Sequence, residues 1–500
     1  MLMDISINTR RMVGKRDEKI YGQFLEHFHR QVYAGIYEPG SPRSNSRGYR
    51  TDVADALKNI KVPVIRWPGG CFVSSYHWKD AIGTNREATY DKAWRSEESN
   101  EFGTDEFLDY CALIGAQPYI CTNAGTGTPE EMSDWVEYCN LKSAGKWARK
   151  RIENGHPEPF NVKYWSIGNE NYGQWEIGAK SSQEWGRFVL ESAKMMKRVD
   201  PSIEILAASL PDIDWNISLI KEAGKFLDWI SIHGYWDPIW FDNKLGSYET
   251  CMAYTMKIEE PIQKARHILG ALGYLGKIKI AYDEWNLRGW YHPNVHNFAD
   301  VPAEDCIKAR DLNDENSSYT MADAVFTACF LNQCLKHCDM VKMANFAPAV
   351  NTRGAIYTHK DGIVKRSTYY VFEIFTHYMK EIVVDTFIDH NQTFMVRNET
   401  DAVEVTTIDS IATISEDGQE LSVSLVNKHP MDEITLTIRM SGYSPNERAT
   451  LYQIASNSVD SYNDSEHPDE IRIEPIDIAI QDGMIQVTLP AHSVNVLVMQ

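Results

Sequence analysis

The sequence contains no long hydrophobic run, and none of its apolar stretches approaches the ~18 residues that a membrane span requires. It also lacks an excess of basic residues, since 50 lysines and arginines face 70 aspartates and glutamates and leave a net charge of −20. A field of this sign opposes nucleic acids and anionic membranes and is compatible with neutral sugars. We therefore expect no nucleic-acid partner and no membrane association.

Signals for secretion and for disulfide bonding are missing as well. Met1–Asn8 has no basic segment followed by an apolar segment and no small-residue cleavage site, so a cytoplasmic location is expected. The nine cysteines are an odd number scattered along the chain, as is usual for reduced thiols.

Several motifs of cofactor and nucleophile chemistry are also missing. Gly125 and Gly127 lack the third glycine of a dinucleotide loop, and neither Gly-x-Ser-x-Gly nor a phosphate-loop lysine occurs. The pairs His27-x-His29 and His292-x3-His296 have a spacing that could hold a metal, but no third ligand is evident. We expect neither a metal nor a cofactor.

Short apolar runs alternate with amphipathic segments of helical length between about residues 20 and 380, a pattern typical of βαβ units. Eight such repeats predict an α/β fold, a (β/α)8 TIM barrel. The candidate strands are Tyr21–Leu25, Val62–Arg66, Gln117–Thr122, Val162–Gly168, Ile203–Ala208, Trp229–His233, Ile278–Glu284 and Met340–Asn345. The candidate helices include Asp52–Ile60, Thr104–Leu113, Glu130–Tyr138, Gln183–Val199, Tyr254–Leu272, Tyr319–Lys336 and Thr368–Met379.

The pattern changes to a period of two after about Glu381, for example in Leu421–Asn427 and Ile434–Ile438. It predicts a C-terminal antiparallel β-sandwich, jelly-roll-like, which Met3–Ile7 would join. The expected division is a catalytic barrel over 17–381 and a sandwich over 382–500 together with 1–16. Residues 285–317 are predicted to form a long active-site loop.

Two glutamates, Glu170 and Glu284, end the predicted fourth and seventh strands, where each run turns abruptly polar. Either one alone would more often be a solvated surface residue or a helix cap. Together they would face each other across the barrel mouth, where the active sites of barrel enzymes lie. Two such carboxyls are what glycoside hydrolysis requires, with retention at about 5 Å separation and inversion at about 6.5–9.5 Å. The sequence leaves this separation open.

Six segments match one family of barrel enzymes in the right order. They are Tyr21–His27, Ile65–Phe72, Tyr76–Trp78, Gly125–Glu131, Trp165–Glu170 and Tyr282–Asn286. On these segments the chain resembles, nearly end to end, the α-L-arabinofuranosidases of glycoside hydrolase family 51. The resemblance implies a barrel with a C-terminal sandwich, a retaining reaction and exo-removal of terminal arabinofuranose.

Position by position, the resemblance makes Glu170 the acid/base and Glu284 the nucleophile. An acid has to be protonated near neutral pH, so Glu170 is expected in a dry or negatively flanked environment. Arg66, at the end of strand two, is expected to keep Glu284 ionised.

The resemblance assigns further residues to the sugar. Asn169 matches a residue that binds the 2-hydroxyl of the sugar. Glu26 matches a carboxylate that binds sugar hydroxyls, and Cys71 matches a residue that lies beside the sugar. Tyr235 matches a tyrosine that is hydrogen-bonded to the nucleophile. Each of these residues also has a purely structural alternative. Asn169 would bond to the backbone, Glu26 would pair with His27, His29 or Arg30, Tyr235 would belong to the core, and Cys71 would be a structural thiol. His233 and Trp285 are expected to support the site.

The chain departs from the family pattern after strand eight. Pro348 stands in the stretch where many relatives have a sugar-binding glutamine, and Asn351 is expected to compensate as a substrate-binding residue. His29 stands where a glycine is common. Trp236, Trp240, Trp285 and Trp290 are candidates for stacking on sugar faces, although large loop aromatics often cap a barrel.

The sequence therefore predicts a retaining exo-glycosidase that removes terminal α-L-arabinofuranosyl residues from arabino- and arabinoxylo-oligosaccharides by double displacement. An endo-β-glucanase or a β-xylosidase on the same scaffold is the nearer alternative, because loop changes alter substrate more easily than chemistry. A non-catalytic carbohydrate-binding protein is a more distant one. Resemblance also implies a homo-oligomer, a hexamer, whereas the linkage and the size of the substrate remain open.

Overall fold

Eight parallel strands form a closed barrel in the part of the chain that the structure, a computed structural model, describes. That part is residues 3–500 without 211, 241–242, 291–301, 303–304, 306–307, 309–310, 398–401 and 481–483. Barrel strands one to eight are Gly22–Phe24, Val64–Trp67, Gln117–Thr122, Tyr164–Ile167, Glu204–Ala207, Trp229–Asp237, Lys279–Arg288 and Val341–Phe346. Seven neighbouring pairs of strands are hydrogen-bonded in parallel. Strands five and six close the circle through a bridge between Ala208 and Ser231. The predicted α/β barrel is thus confirmed.

An apolar layer fills the barrel toward the amino ends of its strands. Its members are Val64, Tyr119, Tyr164, Leu206, Trp229, Ala281 and Met343, one from each of seven strands. Because this layer is buried, polar side chains that point into the barrel collect above it, at the carboxyl ends of the strands.

Helices surround the barrel and follow the strands in the chain. They are Thr51–Asn59, Thr104–Ile114, Pro129–Asn140, Lys146–Glu153, Ser182–Val199, Ile213–Ala223, Tyr248–Thr255, Glu259–Ala271, Met321–Lys336 and Ser367–Tyr378. The single helix predicted over 254–272 is wrong, because one helix ends at Thr255 and the next begins at Glu259. No helix in the described residues is long and apolar enough to cross a membrane.

Nine of the described strands form a second sheet beyond the barrel. They are Met3–Lys15, Ile382–Asp389, Ile408–Ile414, Leu421–Asn427, Ile434–Ser441, Arg448–Ile454, Ile473–Ala479, Met484–Leu489 and Ser493–Met499. Met3–Lys15 pairs antiparallel with Ile382–Asp389 and parallel with Ile434–Ser441, so the C-terminal sheet is antiparallel except at this one described pair. On these pairings we propose the division into a barrel over 17–381 and a sandwich of 382–500 with 1–16.

The helix Met321–Lys336 connects the two sheets. It is buried along most of its length because it packs on the barrel with one side and on the second sheet with another. Asn332 Nδ2 and Lys336 Nζ both bind the Asp409 carboxylate of that sheet, at 2.8 and 3.0 Å. The sheet therefore supports the barrel wall next to strand seven.

Short paired segments lie outside the two large sheets. These hairpins are Thr89–Asp91 with Ser96–Glu98, Ile356–His359 with Gly362–Lys365, and Thr393–Arg397 with Ala402–Thr406. The first connects to the barrel mouth, since Trp94 in its turn reaches Glu26 of the loop after strand one.

Strand seven is longer than the sequence predicts. It runs on to Arg288, so Glu284 lies inside it and the predicted loop over 285–317 begins later; residues 291–310 of that loop lie mostly outside the described residues. The register to both neighbouring strands shifts around Asp283 and Glu284. A bulge of this kind re-aims side chains, and here the consecutive Asp283 and Glu284 both reach Arg66 inside the barrel.

Candidate active site

Glu170 and Glu284 converge at the carboxyl end of the barrel. Strand four ends at Ile167, and Gly168 and Glu170 then adopt positive φ values of 70° and 44°. A Cβ on Gly168 would lie 2.1 Å from Asn171 Oδ1, so only glycine fits this turn. One oxygen of Glu170, one oxygen of Glu284 and a ring nitrogen of His233 all lie within 4.8 Å of one another.

Glu284 is held by two donors from different strands. Arg66 Nη1 donates to its Oε2 at 2.7 Å, and the Tyr235 hydroxyl donates to its Oε1 at 2.5 Å. Tyr235 lies within strand six, which extends to Asp237, rather than after it as predicted. Each donor takes a different oxygen of Glu284, so the orientation of the carboxyl group is fixed.

Glu170 accepts hydrogen bonds on both of its oxygens. His233 Nδ1 lies 2.8 Å from Oε1, and Trp175 Nε1 donates to Oε2 at 2.7 Å. Burial alone would raise the pKa of Glu170, but the hydrogen bond and the positive charge of His233 outweigh it and hold the pKa below its ordinary value. The expectation that Glu170 is protonated by its surroundings is therefore wrong for the unliganded site, where its proton lies on His233.

His233 is surrounded by carboxylates. Besides Glu170, its Nε2 lies 3.4 Å from Asp283 Oδ1 and its Nδ1 lies 3.7 Å from Glu284 Oε2. Burial lowers the pKa of His233, but Glu284, Asp283 and Glu170 together raise it to about 10. The imidazole is thus a cation in the unliganded site and sits between the two glutamates.

Arg66 links the strands that carry the two glutamates. It is fully buried, and its Nη2 donates to Asn169 Oδ1 at 2.7 Å while its Nη1 binds Glu284. Its Nε faces Asp283 Oδ2 at 3.4 Å. The rigid guanidinium fork therefore fixes Asn169, Asp283 and Glu284 relative to one another.

Glu176 is a buried acid of the site that the sequence analysis missed. Asn169 Nδ2 donates to its Oε2 at 3.1 Å, and one of its oxygens lies within 4.8 Å of the Cys71 sulfur and of a Glu170 oxygen. Burial and the charge of Glu170 raise the pKa of Glu176 to about 8, so the side chain is neutral at pH 7. Arg66 donates to the side-chain oxygen of Asn169, and the side-chain nitrogen of Asn169 donates to Glu176. These two contacts fix the orientation of the amide.

Replacing Glu176 with glutamine is expected to stabilise the protein at pH 8 and to have little effect at pH 5. Because the folded-state pKa is raised, folding takes up a proton at every pH between the ordinary value and about 8, and stability falls as pH rises through this window. Glutamine removes that linkage, a gain on the order of 1–3 kcal/mol at pH 8.

Urea unfolding of the Glu176→Gln variant at pH 5, 6.5 and 8 measures this difference. The exposed Glu130→Gln is the matched control, because it removes a carboxylate at the surface and is expected to change stability little. An equal offset at all three pH values in Glu176→Gln would mean that Glu176 is ionised in the folded protein.

Glu26 follows strand one at the barrel mouth and is buried. Its Oε1 accepts from the Phe72 amide at 3.1 Å and from Trp94 Nε1 at 2.9 Å. Burial, followed by the charge of Glu284, raises the pKa of Glu26 to about 8. The alternative in which Glu26 pairs with His27 or His29 does not occur, because these imidazoles bind Glu98 and Asp314, respectively.

Gly70 keeps a space open between Glu26 and Glu284. A Cβ at this position would lie 3.2 Å from Glu284 Oε2 and 3.4 Å from Glu26 Oε1. Cys71, the next residue, is partly exposed with its sulfur toward Glu170 and Glu176. This opening is therefore bordered by carboxyl groups from strands one, four and seven.

Asn351 is not at the site and cannot compensate for Pro348. Its Nδ2 donates to Arg30 O at 2.6 Å and to Thr358 Oγ1 at 2.8 Å, while its Oδ1 accepts from the Thr358 amide at 2.8 Å. The nitrogen and the oxygen of this buried amide both bind residues of the surrounding loops. The substrate-binding prediction for Asn351 is therefore wrong.

Two tryptophans proposed for sugar stacking belong to the core. Trp285 is fully buried and stacks on Phe330 with ring centroids 3.6 Å apart, and Trp236 packs on Phe326 at 5.1 Å. Trp285 supports the site only by anchoring strand seven. Trp290 does line the mouth side, where it packs on Phe28 at 4.5 Å.

His27 and His29, one of the two histidine pairs considered for metal binding, bind different acids. His27 binds Glu98 and His29 binds Asp314, and the pair at 292 and 296 lies outside the described residues. Two sets of ligand-type atoms cluster within 4.8 Å in the described chain, Cys71–Glu170–Glu176 and Glu170–His233–Glu284. Both include Glu170 and so belong to the carboxylate site itself.

Other residues of the site were also missed by sequence reasoning. They are Trp94, Tyr172, Trp175 and Asp283, which contact Glu26, Glu170 or Arg66. Tyr172 and Trp175 stand in the polar, glycine-containing segment directly after Glu170, and this position is a usable signal. Trp94 reaches the mouth from a hairpin distant in sequence, for which the sequence gives no signal.

A closed (β/α)8 barrel with two glutamates facing each other at the carboxyl ends of strands four and seven defines a glycoside hydrolase. Family models agree, since the α-L-arabinofuranosidase 1 domain matches residues 56–252 and the α-L-arabinofuranosidase C-terminal domain matches residues 283–493. The chain belongs to the α-L-arabinofuranosidases of glycoside hydrolase family 51.

Individual relatives cover nearly the whole chain. The intracellular exo-α-(1→5)-L-arabinofuranosidase of Halalkalibacterium halodurans is 34% identical over 447 residues, 86% of each chain. The α-L-arabinofuranosidase of Thermotoga maritima, solved with arabinose, is 36% identical with a TM-score of 0.89 over 100% of both chains. The family 51 α-L-arabinofuranosidase of Thermotoga petrophila is 36% identical with a TM-score of 0.87, again over 100% of both chains. The predicted family and enzyme class are confirmed.

Proposed function

We propose that this enzyme removes terminal non-reducing α-L-arabinofuranosyl residues from arabino- and arabinoxylo-oligosaccharides by double displacement, with retention of configuration. The observation that carries the proposal is the approach of Glu170 and Glu284, with one oxygen of each within 4.8 Å of the other. Retaining glycosidases have carboxyl groups about 5–5.5 Å apart, whereas an inverting pair at about 6.5–9.5 Å leaves room for a water. The short separation favours direct attack by one of the carboxylates.

Glu284 is the nucleophile in this proposal. Arg66 and Tyr235 hold its two oxygens, so the carboxylate is oriented before the sugar arrives. Attack on the anomeric carbon forms a glycosyl ester and removes the negative charge from Glu284. Both donors then lose an ionic acceptor, which favours hydrolysis of the ester in the second step.

Glu170 and His233 together carry the proton of the acid/base cycle. In the unliganded site the proton lies on His233, 2.8 Å from Glu170, so a shift along one hydrogen bond converts Glu170 into the acid. Glu284 is the strongest source of the raised pKa of His233. Loss of its charge during glycosylation therefore weakens proton binding at this pair and promotes transfer to the leaving oxygen.

The second half-reaction reverses this transfer. With Glu284 esterified, the pair holds no proton, and the Glu170 carboxylate is free to accept one from the attacking water. As the ester is cleaved, the charge of Glu284 returns and stabilises the proton on His233 again. His233 thus stores the proton, while Glu170 exchanges it with substrate and water.

Substrate contacts come from the edge of the opening beside Gly70. Asn169 has a fixed amide with one N–H left for the sugar, and a protonated Glu26 has an O–H to donate as well as oxygens to accept. Cys71 lies next to the same space. Hydrogen bonds of this kind discriminate strongly between sugars, because their absence would leave buried polar groups unpaired.

The exo-α-(1→5) activity and intracellular location named for the H. halodurans relative support short 1,5-linked arabino-oligosaccharides as substrates and a cytoplasmic location. A homo-oligomer, a hexamer, remains our proposal for the assembly. An endo-β-glucanase or β-xylosidase activity is disfavoured by family membership, and a non-catalytic binding role by the convergence of both glutamates.

Proton NMR of the first-formed anomer tests the proposal. Hydrolysis of 4-nitrophenyl α-L-arabinofuranoside is expected to release α-L-arabinofuranose before mutarotation, and 1,5-arabinobiose to be cleaved as well. The aryl β-D-xyloside and carboxymethylcellulose serve as controls and should remain intact. Release of the β-anomer would contradict retention, and cleavage of either control at a comparable rate would contradict the substrate class.

A further inference from the structure

Arg353 is a buried arginine whose guanidinium is mostly unpartnered. It follows strand eight in the turn Asn351–Gly354 and is 2% exposed. Its Nε donates to Ala347 O at 3.1 Å, but neither Nη1 nor Nη2 has a hydrogen-bond partner among the residues that the structure describes. Apart from a polar contact with the Tyr235 hydroxyl, the Nη N–H groups of this cation are therefore buried without an acceptor among the described residues.

Such an arrangement is costly unless something else binds there. Burial of a charged group without hydrogen bonds costs several kcal/mol as an order of magnitude, and native proteins rarely retain it without a role. Burial also lowers the pKa of Arg353, as expected for a desolvated cation. The unpaired Nη groups thus point to a ligand with oxygen acceptors.

Aromatic rings fix the guanidinium from its faces. Its central carbon lies 3.6 Å from the ring centroid of Trp290 and 4.5 Å from that of Tyr235. These contacts bind the faces of the planar group and leave its N–H edge for a ligand. A guanidinium held in this way loses little entropy when it binds.

The backbone also directs Arg353 toward this position. Asn351 and Thr352 both have positive φ, 57° and 46°, a left-handed conformation that is unfavourable for residues other than glycine. The buried Asn351 amide, bonded to Arg30 and Thr358, holds the turn in place. The strain is localised at the two residues that place Arg353 inside.

Arg353 borders the opening between Glu26 and Glu284. Tyr235, on one side of the guanidinium, donates to Glu284. Trp290, on the other side, packs 6.2 Å from Trp94, which donates to Glu26. The guanidinium therefore lies on the wall that connects the nucleophile to the strand-one carboxyl group.

We propose that Arg353 is a substrate-binding residue whose Nη groups donate hydrogen bonds to a hydroxyl of the arabinofuranosyl ring. This inference rests on the proposed function and names the donor that neither Pro348 nor Asn351 supplies after strand eight. The charge of Glu284 repels an anionic substituent and Glu26 is neutral, so a neutral hydroxyl is the acceptor that the site accommodates. Recognition of that hydroxyl makes Arg353 a determinant of sugar specificity.

The Arg353→Met variant tests the proposal, because methionine keeps an unbranched stem between the two rings and removes the donors. On 4-nitrophenyl α-L-arabinofuranoside, KM is expected to rise about 10- to 100-fold, the usual effect of losing hydrogen bonds to a charged group. The change in kcat should be smaller, and the inhibition constant of L-arabinose should rise in parallel with KM. Arg353→Lys is expected to be intermediate, since it keeps the charge without the fork.

Substrates that lack one hydroxyl identify the contact. The 2-, 3- and 5-deoxy arabinofuranosides are compared in the wild type and in Arg353→Met as a double-mutant cycle. For the hydroxyl that Arg353 binds, the loss caused by the mutation should shrink to about 1-fold, while it stays large for the other two. An equal loss with all three analogues would overturn hydroxyl recognition.

Arg47→Met is the matched control. Arg47 also lies beside a tyrosine ring, 5.2 Å from that of Tyr49, but its side chain is exposed and its Nη1 binds Asp109. Its KM is expected to stay within about twofold of the wild type. Unchanged KM in Arg353→Met would assign Arg353 a structural role, whereas a wild type inactive on every arabinofuranoside would instead refute the proposed function.

Discussion

Replacing Glu284 with alanine is expected to reduce kcat for 4-nitrophenyl α-L-arabinofuranoside on the order of 10⁵-fold or more. Without the carboxylate no glycosyl ester forms, and an effect of this size is typical when the group that forms a covalent intermediate is removed. A good leaving group should not rescue the variant, because the missing step is bond formation to the anomeric carbon.

Azide gives this experiment a stereochemical result. In Glu284→Ala the vacated space faces the anomeric carbon from the side of the nucleophile, so azide attack from there is expected to give the β-L-arabinofuranosyl azide. Proton NMR identifies the product. The opposite anomer, or wild-type turnover in the variant, would contradict the role assigned to Glu284.

A second glutamate of the barrel provides the control. Glu204 begins strand five and forms ion pairs with Lys163 and Lys279 at 3.0 Å, at the end of the barrel away from the mouth. Glu204→Ala is expected to lower thermal stability and to leave kcat and KM within about twofold of the wild type. A large loss of kcat in this control would mean that removal of any strand carboxylate disturbs the barrel.

The barrel and the convergence of Glu170 and Glu284 could be predicted because they depend on local sequence. Each strand is an apolar run that fills the interior, and the change to polar residues marks its carboxyl end. Glu170 and Glu284 stand at such changes, so their approach followed from the symmetry of the barrel. The bulge that extends strand seven past Glu284 gives no comparable signal.

Features that depend on distant contacts could not be predicted. The pKa of Glu170 is lowered by His233, which lies on another strand, and the sequence around Glu170 does not indicate this partner. Asn351 and Arg353 are two residues apart and both are buried, and the left-handed turn at Asn351 and Thr352 decides which of them contacts Tyr235 and Trp290. Sequence reasoning chose the amide on chemical type, whereas the backbone conformation directs the guanidinium to the site.

Replacing Glu170 with alanine is expected to have effects that depend on the leaving group. For 1,5-arabinobiose, whose leaving alcohol needs a proton, kcat/KM should fall about 10²- to 10⁴-fold, the usual contribution of general acid catalysis. For the 2,4-dinitrophenyl glycoside, which needs no acid, kcat/KM should change little. Its kcat should still fall, because ester hydrolysis lacks its base and the glycosyl enzyme accumulates.

Azide should restore kcat for the dinitrophenyl substrate in Glu170→Ala and give the α-L-arabinofuranosyl azide, opposite in configuration to the product of Glu284→Ala. Glu170→Gln is the matched control, because it removes the same acid and base but fills the space that azide would occupy. Its loss of kcat should be similar, and the restoration of kcat by azide should be small.

Both variants should also show a changed pH dependence of kcat/KM for arabinobiose. In the wild type we expect kcat/KM to fall at alkaline pH as His233, whose pKa is raised to about 10, loses the proton that it shares with Glu170. Without the Glu170 carboxyl, that proton has no path to the leaving oxygen. If all leaving groups lost activity equally and no azide product formed, Glu170 would have to act by positioning His233 rather than by transferring the proton itself.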